Sequence, residues 1–293
     1  GGFVYAKRHA YYGITMMGEA GAFSVCAYYA FLSFFAYSYY LDRKSGSRSC
    51  FAFGVLCSLC SILTGAKISL AFLAVYVLIT VLFFGGHVRD GGTLKLQMKN
   101  LSRVLGVVTA CFLAVVLTRD HVVSIYPATA RVFHLFKWDV IRNSIAVRAQ
   151  SWGDLLALGY RHLFTGIGKG GRYLYPDGTL GEEAHNYYIK VFVDAGIIGF
   201  SVFLFFVGCI MFFIRSVYNN SRDPETRIMA HTAFCVLVAL LLASTLQDAF
   251  KPVIPNQVFW FFLGLTAAAH RIERREAGGH DEEPAFAHNH GTI

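Results

Sequence analysis

The sequence predicts an all-α fold: a polytopic integral membrane helical bundle of about seven spans, with one large periplasmic loop containing short helices. Three observations predict it. Apolar residues make up 55% of the chain and charged residues only 15%, against about 25% charged in soluble proteins. A soluble domain of 293 residues has too little interior to hide that much apolar surface. The apolar residues also gather into seven segments, roughly 19–41, 50–64, 68–85, 104–117, 187–214, 230–250 and 258–269. Disorder, a disulfide scaffold and an ordinary soluble enzyme are excluded on these grounds.

Taken in order, the segment 19–41 has the length of about 20 residues that crosses a bilayer. Segments 50–64 and 68–85 are separated only by Gly65-Ala66-Lys67 and form a helical hairpin. Three segments fall short of a full span and draw an extra turn from their flanks. Residues 118–186 form a loop too long to be a simple connection. Within it, Trp152, Leu155, Leu156 and Leu158 make an apolar stripe over Ser151–Arg161, suited to a helix lying at a membrane surface. The seven cysteines fall in or beside the spans and read as small apolar residues. The chain divides into a membrane domain, 1–270, and a tail, 271–293, whose Gly, Glu and His content reads as disordered. Its opening at Gly1-Gly2-Phe3 reads as the start of a fragment that lacks earlier helices.

Positive charge orients the bundle. Thirteen Lys and Arg fall in alternate connections, including Arg43, Lys95, Arg222 and Arg274, while the opposite short connections hold Lys7, Arg8, Lys67 and Lys251. The richer side faces the cytoplasm, which leaves the N-terminus and the loop 118–186 outside. The net charge of +8 is thereby explained by topology, and no nucleic-acid partner is expected.

Ionisable residues near apolar spans mark functional sites by default. Lys67, Asp120, Lys190, Asp194, Asp248 and Lys251 all lie at predicted outer ends, which points to a polar cavity open to the outside. Asn186, Lys190 and Asp194 share one helix face through i, i+4 spacing. Gly166-x-Gly168-x-x-Gly171 formally matches a dinucleotide fingerprint, but it lacks the strand-turn-helix context. It reads as a glycine turn that lets backbone approach a ligand or a neighbouring helix. Taken alone, Gly196-Ile-Ile-Gly199 reads as a small-residue packing face, and Asn186 as a helix cap.

Together these residues resemble a family. His185-Asn186, nine residues, then Gly196-x-x-Gly199 is similar to the pattern of the O-antigen ligase and O-antigen polymerase family. Arg148-x-x-x-Trp152 and Thr165-Gly166-Ile167-Gly168 resemble that family's loop elements, and Thr64-Gly65-Ala66-Lys67 resembles its Thr-Gly-Ser-Arg turn. Lys67 stands where an arginine is usual and so lacks the bidentate fork that grips phosphate. Leu163 stands where a proline is common.

The resemblance implies a metal-independent, inverting glycosyltransferase of the bacterial inner membrane, with no cofactor. Its donor is a glycan on undecaprenyl diphosphate, surrounded by membrane lipids. The acceptor is lipid A-core for a ligase, or a growing glycan for a polymerase of O-antigen or exopolysaccharide. The implied catalytic residues are His185 and Arg148. The implied substrate-binding residues are Lys67, Asn186, Arg161, Arg172, Trp152 and Lys190. His185 is suited to deprotonating a hydroxyl, and fixed cations to holding a diphosphate. Were a metal involved, Asp177, Glu182 and Glu183 would be its ligands. A polysaccharide flippase is the alternative from another class; it predicts paired half-repeats and charges at mid-bilayer, neither of which the sequence shows.

Overall fold

The computed structural model describes residues 22–42, 48–63, 68–85, 138–168, 185–246, 249–250 and 253–279, with scattered residues between 99 and 124. Among them all regular structure is helical. Helices α1 (Ala22–Asp42), α2 (Arg48–Leu63) and α3 (Ile68–Gly85) follow the first three apolar segments closely. α4 (Trp138–Arg161) lies in the long loop and begins well before the Ser151 start read from the apolar stripe. α5 (Tyr187–Asn220), α6 (Pro224–Ala243) and α7 (Val253–Gly279) complete the chain. α7 is helical past residue 271, where the tail was expected to begin. Of the segment 104–117, residues 104–106, 109–110, 113–114 and 116–117 are described, and all are helical.

Among the described residues two helices, α5 and α6, are long and apolar enough to cross a membrane; α2 and α3 contain shorter apolar helices, Arg48–Ile62 and Ala71–Val81. The two long ones are placed differently. Of its apolar stretch, α6 has 67% buried inside the protein and α5 only 11%. α6 is therefore a central helix and α5 a peripheral one.

The core forms around α1, which packs along α2 and also touches α3, α6 and α7. Phe31, Phe34, Tyr37, Phe72 and Tyr76 are fully enclosed there. Phe34 stacks on Tyr76 with ring centroids 4.9 Å apart. Gly54 of α2 lets Tyr37 lie directly on the helix, since a Cβ there would sit 2.6 Å from the ring.

This core is not purely apolar. His231 of α6 is buried, with Nδ1 2.8 Å from the Ser38 hydroxyl of α1 and Nε2 3.4 Å from the Thr80 hydroxyl of α3. Ser38 also reaches the Tyr76 hydroxyl at 3.2 Å, and the Tyr37 hydroxyl reaches Ser58 of α2 at 2.9 Å. Buried polar groups must be paired, and here the pairs fall between helices, so they fix how the helices are rotated against one another. Of the described cysteines, Cys26, Cys57 and Cys235 are buried as expected, Cys50 and Cys60 are half-buried, and Cys209 is exposed on α5.

At the opposite end of α6 from Ala243, the short turn after α5 is clamped. The Ser221 hydroxyl donates to Glu273 at 2.6 Å, and the Arg222 and Asp223 amides donate to the other carboxylate oxygen. Asp223 in turn caps α6, accepting from the Thr226 amide at 2.8 Å, with Pro224 at the first helical position. Partial burial pushes the Glu273 carboxyl up, but the three donors outweigh it and hold the pKa below the usual value. A depressed carboxylate pKa contributes stability above the ordinary carboxylate range and loses it as pH falls through the folded value. Hydrogen exchange of the Arg222 and Asp223 amides is therefore expected to be slow at pH 7. It should gain a further acceleration, relative to other capped amides, below about pH 4.3, and Glu273→Gln should show the fast behaviour at neutral pH.

Candidate functional site

The start of α5 holds His185 in an unusual way. Its backbone is left-handed, with φ 48°, a region that few residues other than glycine occupy. The next residues keep it there. Asn186 is extended and its side-chain oxygen accepts the amides of Tyr188 and Ile189 at 3.1 and 3.2 Å, a cap worth about 1 kcal/mol. The Tyr187 amide donates to the Ser244 carbonyl at 2.8 Å. The Tyr188 hydroxyl donates to the Leu241 carbonyl, also at 2.8 Å. The beginning of α5 is thus tied to the end of α6, while the His185 side chain stays exposed.

One turn on, Lys190 and Asp194 form an ion pair of 3.1 Å, both partly buried. The order of charges opposes the helix dipole, which favours anions in the first turn and cations in the last. Helix stability alone therefore does not account for a lysine at 190 and an aspartate at 194.

α5 is then interrupted. Gly196 has φ 66° and ψ −171°, inside what is otherwise continuous helix. The interruption strands the carbonyls of Val193 and Asp194 and the amides of Ile197 and Ile198. The turn that ends α4 takes up all four. The amides of Ile167 and Gly168 donate to Val193 and Asp194, each at 2.9 Å, and the amides of Ile197 and Ile198 donate to Leu163 and Phe164 at 2.7 and 3.4 Å. Gly166 and Gly168 have positive φ of 68° and 88°. A Cβ on Gly166 would strike the Asp194 backbone, and one on Gly196 the Phe164 carbonyl. The glycine turn of the sequence thus approaches a neighbouring helix. Gly196-x-x-Gly199, read as a packing face, is instead the break itself: Gly196 makes the left-handed step, and a Cβ on Gly199 would strike Ala195.

α4 lies against the first half of α5 through a second, small core. Leu155 and Val193 are its buried members, with Leu158, Ile167, Ile189 and Phe192 around them. Gly159 permits the contact, since a Cβ there would be 2.7 Å from the Phe192 ring. At helical spacing, Arg148, Trp152, Leu155 and Gly159 fall on one face of α4. Arg148 and Trp152 are half-buried on this inward face, and burial pulls the Arg148 pKa down, although a guanidinium stays charged at neutral pH. Arg161 lies on the opposite face, exposed, two residues before the Leu163 carbonyl that bonds to the break. The structure thus gathers His185, Asn186, Lys190 and Asp194 on one half-helix, sets Arg148 and Trp152 on the helix packed against it, and leaves Arg161 apart. Lys67, Arg172, Asp177, Glu182 and Glu183 lie outside the described residues. Among the described residues no group of three or more His, Cys, Asp and Glu is placed to hold a metal ion.

Three residues not singled out from sequence shape this region. Tyr188 and Ser244 hold the start of α5, and Gly159 lets the two helices meet. Gly159 occurs within an otherwise helical pattern, the one signal that pointed to it.

Arg148 and Trp152, the Gly166–Gly168 turn, capped His185 and the break in α5 all fall within one known sequence pattern. The pattern described as O-antigen ligase matches residues 45–204, more than half of the chain. The chain belongs to the O-antigen ligase family. No curated protein matches it. The family match spans α2, α3, α4 and α5 through the break, whereas α1, α6 and α7, which build much of the core, lie outside it. Membership of the O-antigen ligase family, together with the long apolar helices, makes this a membrane protein of glycosyl-transferring type, acting on a lipid-linked glycan and an acceptor.

The interlock makes sharp demands on its glycines. Gly166→Ala and Gly196→Ala are each expected to destabilise the protein by more than about 1–2 kcal/mol, the cost of a left-handed residue alone, because backbone is also struck. Gly153→Ala, on the exposed face of α4 with nothing within 4 Å of the added carbon, should instead gain about 1 kcal/mol of helix propensity. Thermal unfolding of the three variants in detergent checks the contrast.

Proposed function

We propose that this protein transfers a glycan from undecaprenyl diphosphate to an acceptor hydroxyl at the periplasmic face of the bacterial inner membrane, with inversion and without a metal. The observation that carries the reading is the placement of His185: an exposed residue on a capped backbone, at the start of the half-helix on which α4, the helix that carries half-buried Arg148, is packed. A general base must be both accessible to substrate and held in one place, and this position meets both needs.

In this mechanism an imidazole nitrogen of His185 accepts the proton of the acceptor hydroxyl as its oxygen attacks the anomeric carbon. The bond between that carbon and the diphosphate oxygen breaks on the opposite face, and the diphosphate leaves with the electron pair. Arg148 stabilises the leaving group. Partial burial strengthens its field, and its planar fork matches phosphate oxygens. Lys190 is the nearest further cation on the half-helix of His185, and its alignment against the helix dipole fits a role toward an anionic ligand. Lys67 and Arg172 supply additional charge in this reading, Trp152 an apolar wall, and Asn186 the orientation of His185. Arg161 is the weakest member of the set, because it lies on the outward face of α4.

The topology belongs to the same proposal: about seven spans over 1–270, loop 118–186 in the periplasm and 271–293 in the cytoplasm. Ligase action on lipid A-core is favoured over polymerase action because the His-Asn-x9-Gly-x-x-Gly spacing of ligases is met without a gap. Transfer to a growing glycan would use the same residues.

Transfer by purified protein from a lipid-linked donor, followed with each acceptor in turn, tests the whole reading. His185→Ala should lower the rate by about 10²–10⁴, the usual contribution of a general base, while membrane insertion is retained. Arg148→Lys should recover little of what Arg148→Ala loses. Near-normal transfer by His185→Ala would refute the role of this residue. A chelator should leave the rate unchanged, and strong inhibition would bring Asp177, Glu182 and Glu183 forward as metal ligands.

A further inference from the structure

We infer that the turn ending α4, with Leu163 and Phe164 at its tip, dips into the acyl-chain region of the membrane beside the break in α5. The inference rests on α5 spanning the bilayer, not on the proposed chemistry. α5 has a continuous exposed apolar face formed by Ile198, Val202, Phe205, Cys209 and Phe212, one helical stripe by spacing. Phe205 and Phe212 are 75% and 77% exposed. At the break this stripe passes onto the other segment. Phe164 is bonded through its carbonyl to the Ile198 amide and is 66% exposed; Tyr160, a turn earlier, is 68% exposed. A water-facing loop tip gains nothing from a bare Phe, Tyr and Leu. A tip continuous with a lipid-facing helix does.

Depth follows from length. From Ile197 to Ile214 the second half of α5 contains no charged residue; at 1.5 Å per residue these positions cover about 27 Å. That is close to the hydrocarbon thickness of about 30 Å. With Arg215 at one boundary, Gly196 falls at the other, and Leu163 and Phe164 share its level. Arg161 and His162, both exposed, would stand among the headgroups next to them, and the Lys190–Asp194 pair on the far side of the break would lie outside the hydrocarbon. An interrupted helix at this boundary must satisfy its stranded peptide groups within the protein, because hydrocarbon offers none of the partners water does. The four bonds between the turn and the break do so.

Photocrosslinking in the full chain tests this. Benzoylphenylalanine replaces Phe164, Phe205 or, on another face of α4, Asp154, and each protein is irradiated in vesicles of phosphatidylethanolamine and phosphatidylglycerol. Lipid adducts at 164 in a yield comparable to 205, with few at 154, are the expected result. Adducts at 164 as scarce as at 154 would overturn the inference, as would capture of a second protein chain there in place of lipid. Absence of lipid adducts at 205 would overturn the span itself and the inference with it. Loss of glycan transfer with lipid capture intact would count against the proposed chemistry alone.

Discussion

Four backbone hydrogen bonds between the Leu163–Gly168 turn and the break at Gly196 hold the rest of the candidate site in place. They join two segments that are some thirty residues apart in sequence, and they do so with peptide groups, whose geometry leaves little room for adjustment. Side chains enter mainly by being absent. Three left-handed glycines allow backbone to lie on backbone, and any Cβ at two of them meets main-chain atoms that have nowhere to go. Two short glycine motifs, distant in the chain, are in this protein the two halves of one joint.

The joint separates two kinds of packing. On one side lies the large core around α1, α3 and α6, where aromatic rings and interhelical hydrogen bonds set helix rotation. On the other lies the small core of Leu155 and Val193, which does no more than seat α4 on the first half of α5. Arg148, His185, Lys190 and Asp194 lie on the small side. The start of α5 is also tied back to α6 through Tyr187 and Tyr188. The half-helix with His185 is therefore held at both ends, by α6 at its beginning and by the glycine turn at its end. A helix fixed at both ends can keep an exposed side chain in one place without burying it.

The helices were legible from sequence because long apolar runs leave little choice of structure: α1, α3 and the start of α5 follow their segments nearly to the residue. α4 was legible only over its apolar stripe; its first turns, from Trp138, carry no such stripe. The expected end of this segment at 250 overshoots α6: of residues 244–250 only Leu246, Ala249 and Phe250 are apolar, Ser244 returns its hydroxyl to the Leu240 carbonyl, and the helix stops there. Of the candidate site, the residue types at 148, 152, 185, 186, 190 and 194 were visible as a pattern. The role of Gly196 was not, because glycine at a close helix contact and glycine at a left-handed step look alike until the backbone is seen. Tyr188 gave no signal, since an aromatic residue opening an apolar helix is commonplace. His231 lay unnoticed within an apolar segment, its partners far away in sequence.

That last distance has a kinetic consequence. Ser38 and His231 are separated by 193 residues, and chains grow at about 5–20 residues per second. Ser38 is therefore synthesised roughly 10–40 s before the imidazole that will pair with it. During that interval the interhelical partner open to the Ser38 hydroxyl is the Tyr76 hydroxyl of α3, 38 residues on, at 3.2 Å. Arrival of α6 then adds a bond from a third helix, at 2.8 Å. The buried histidine acts as a late fastener, joining α6 to α1 and α3 only after both of those helices have been made.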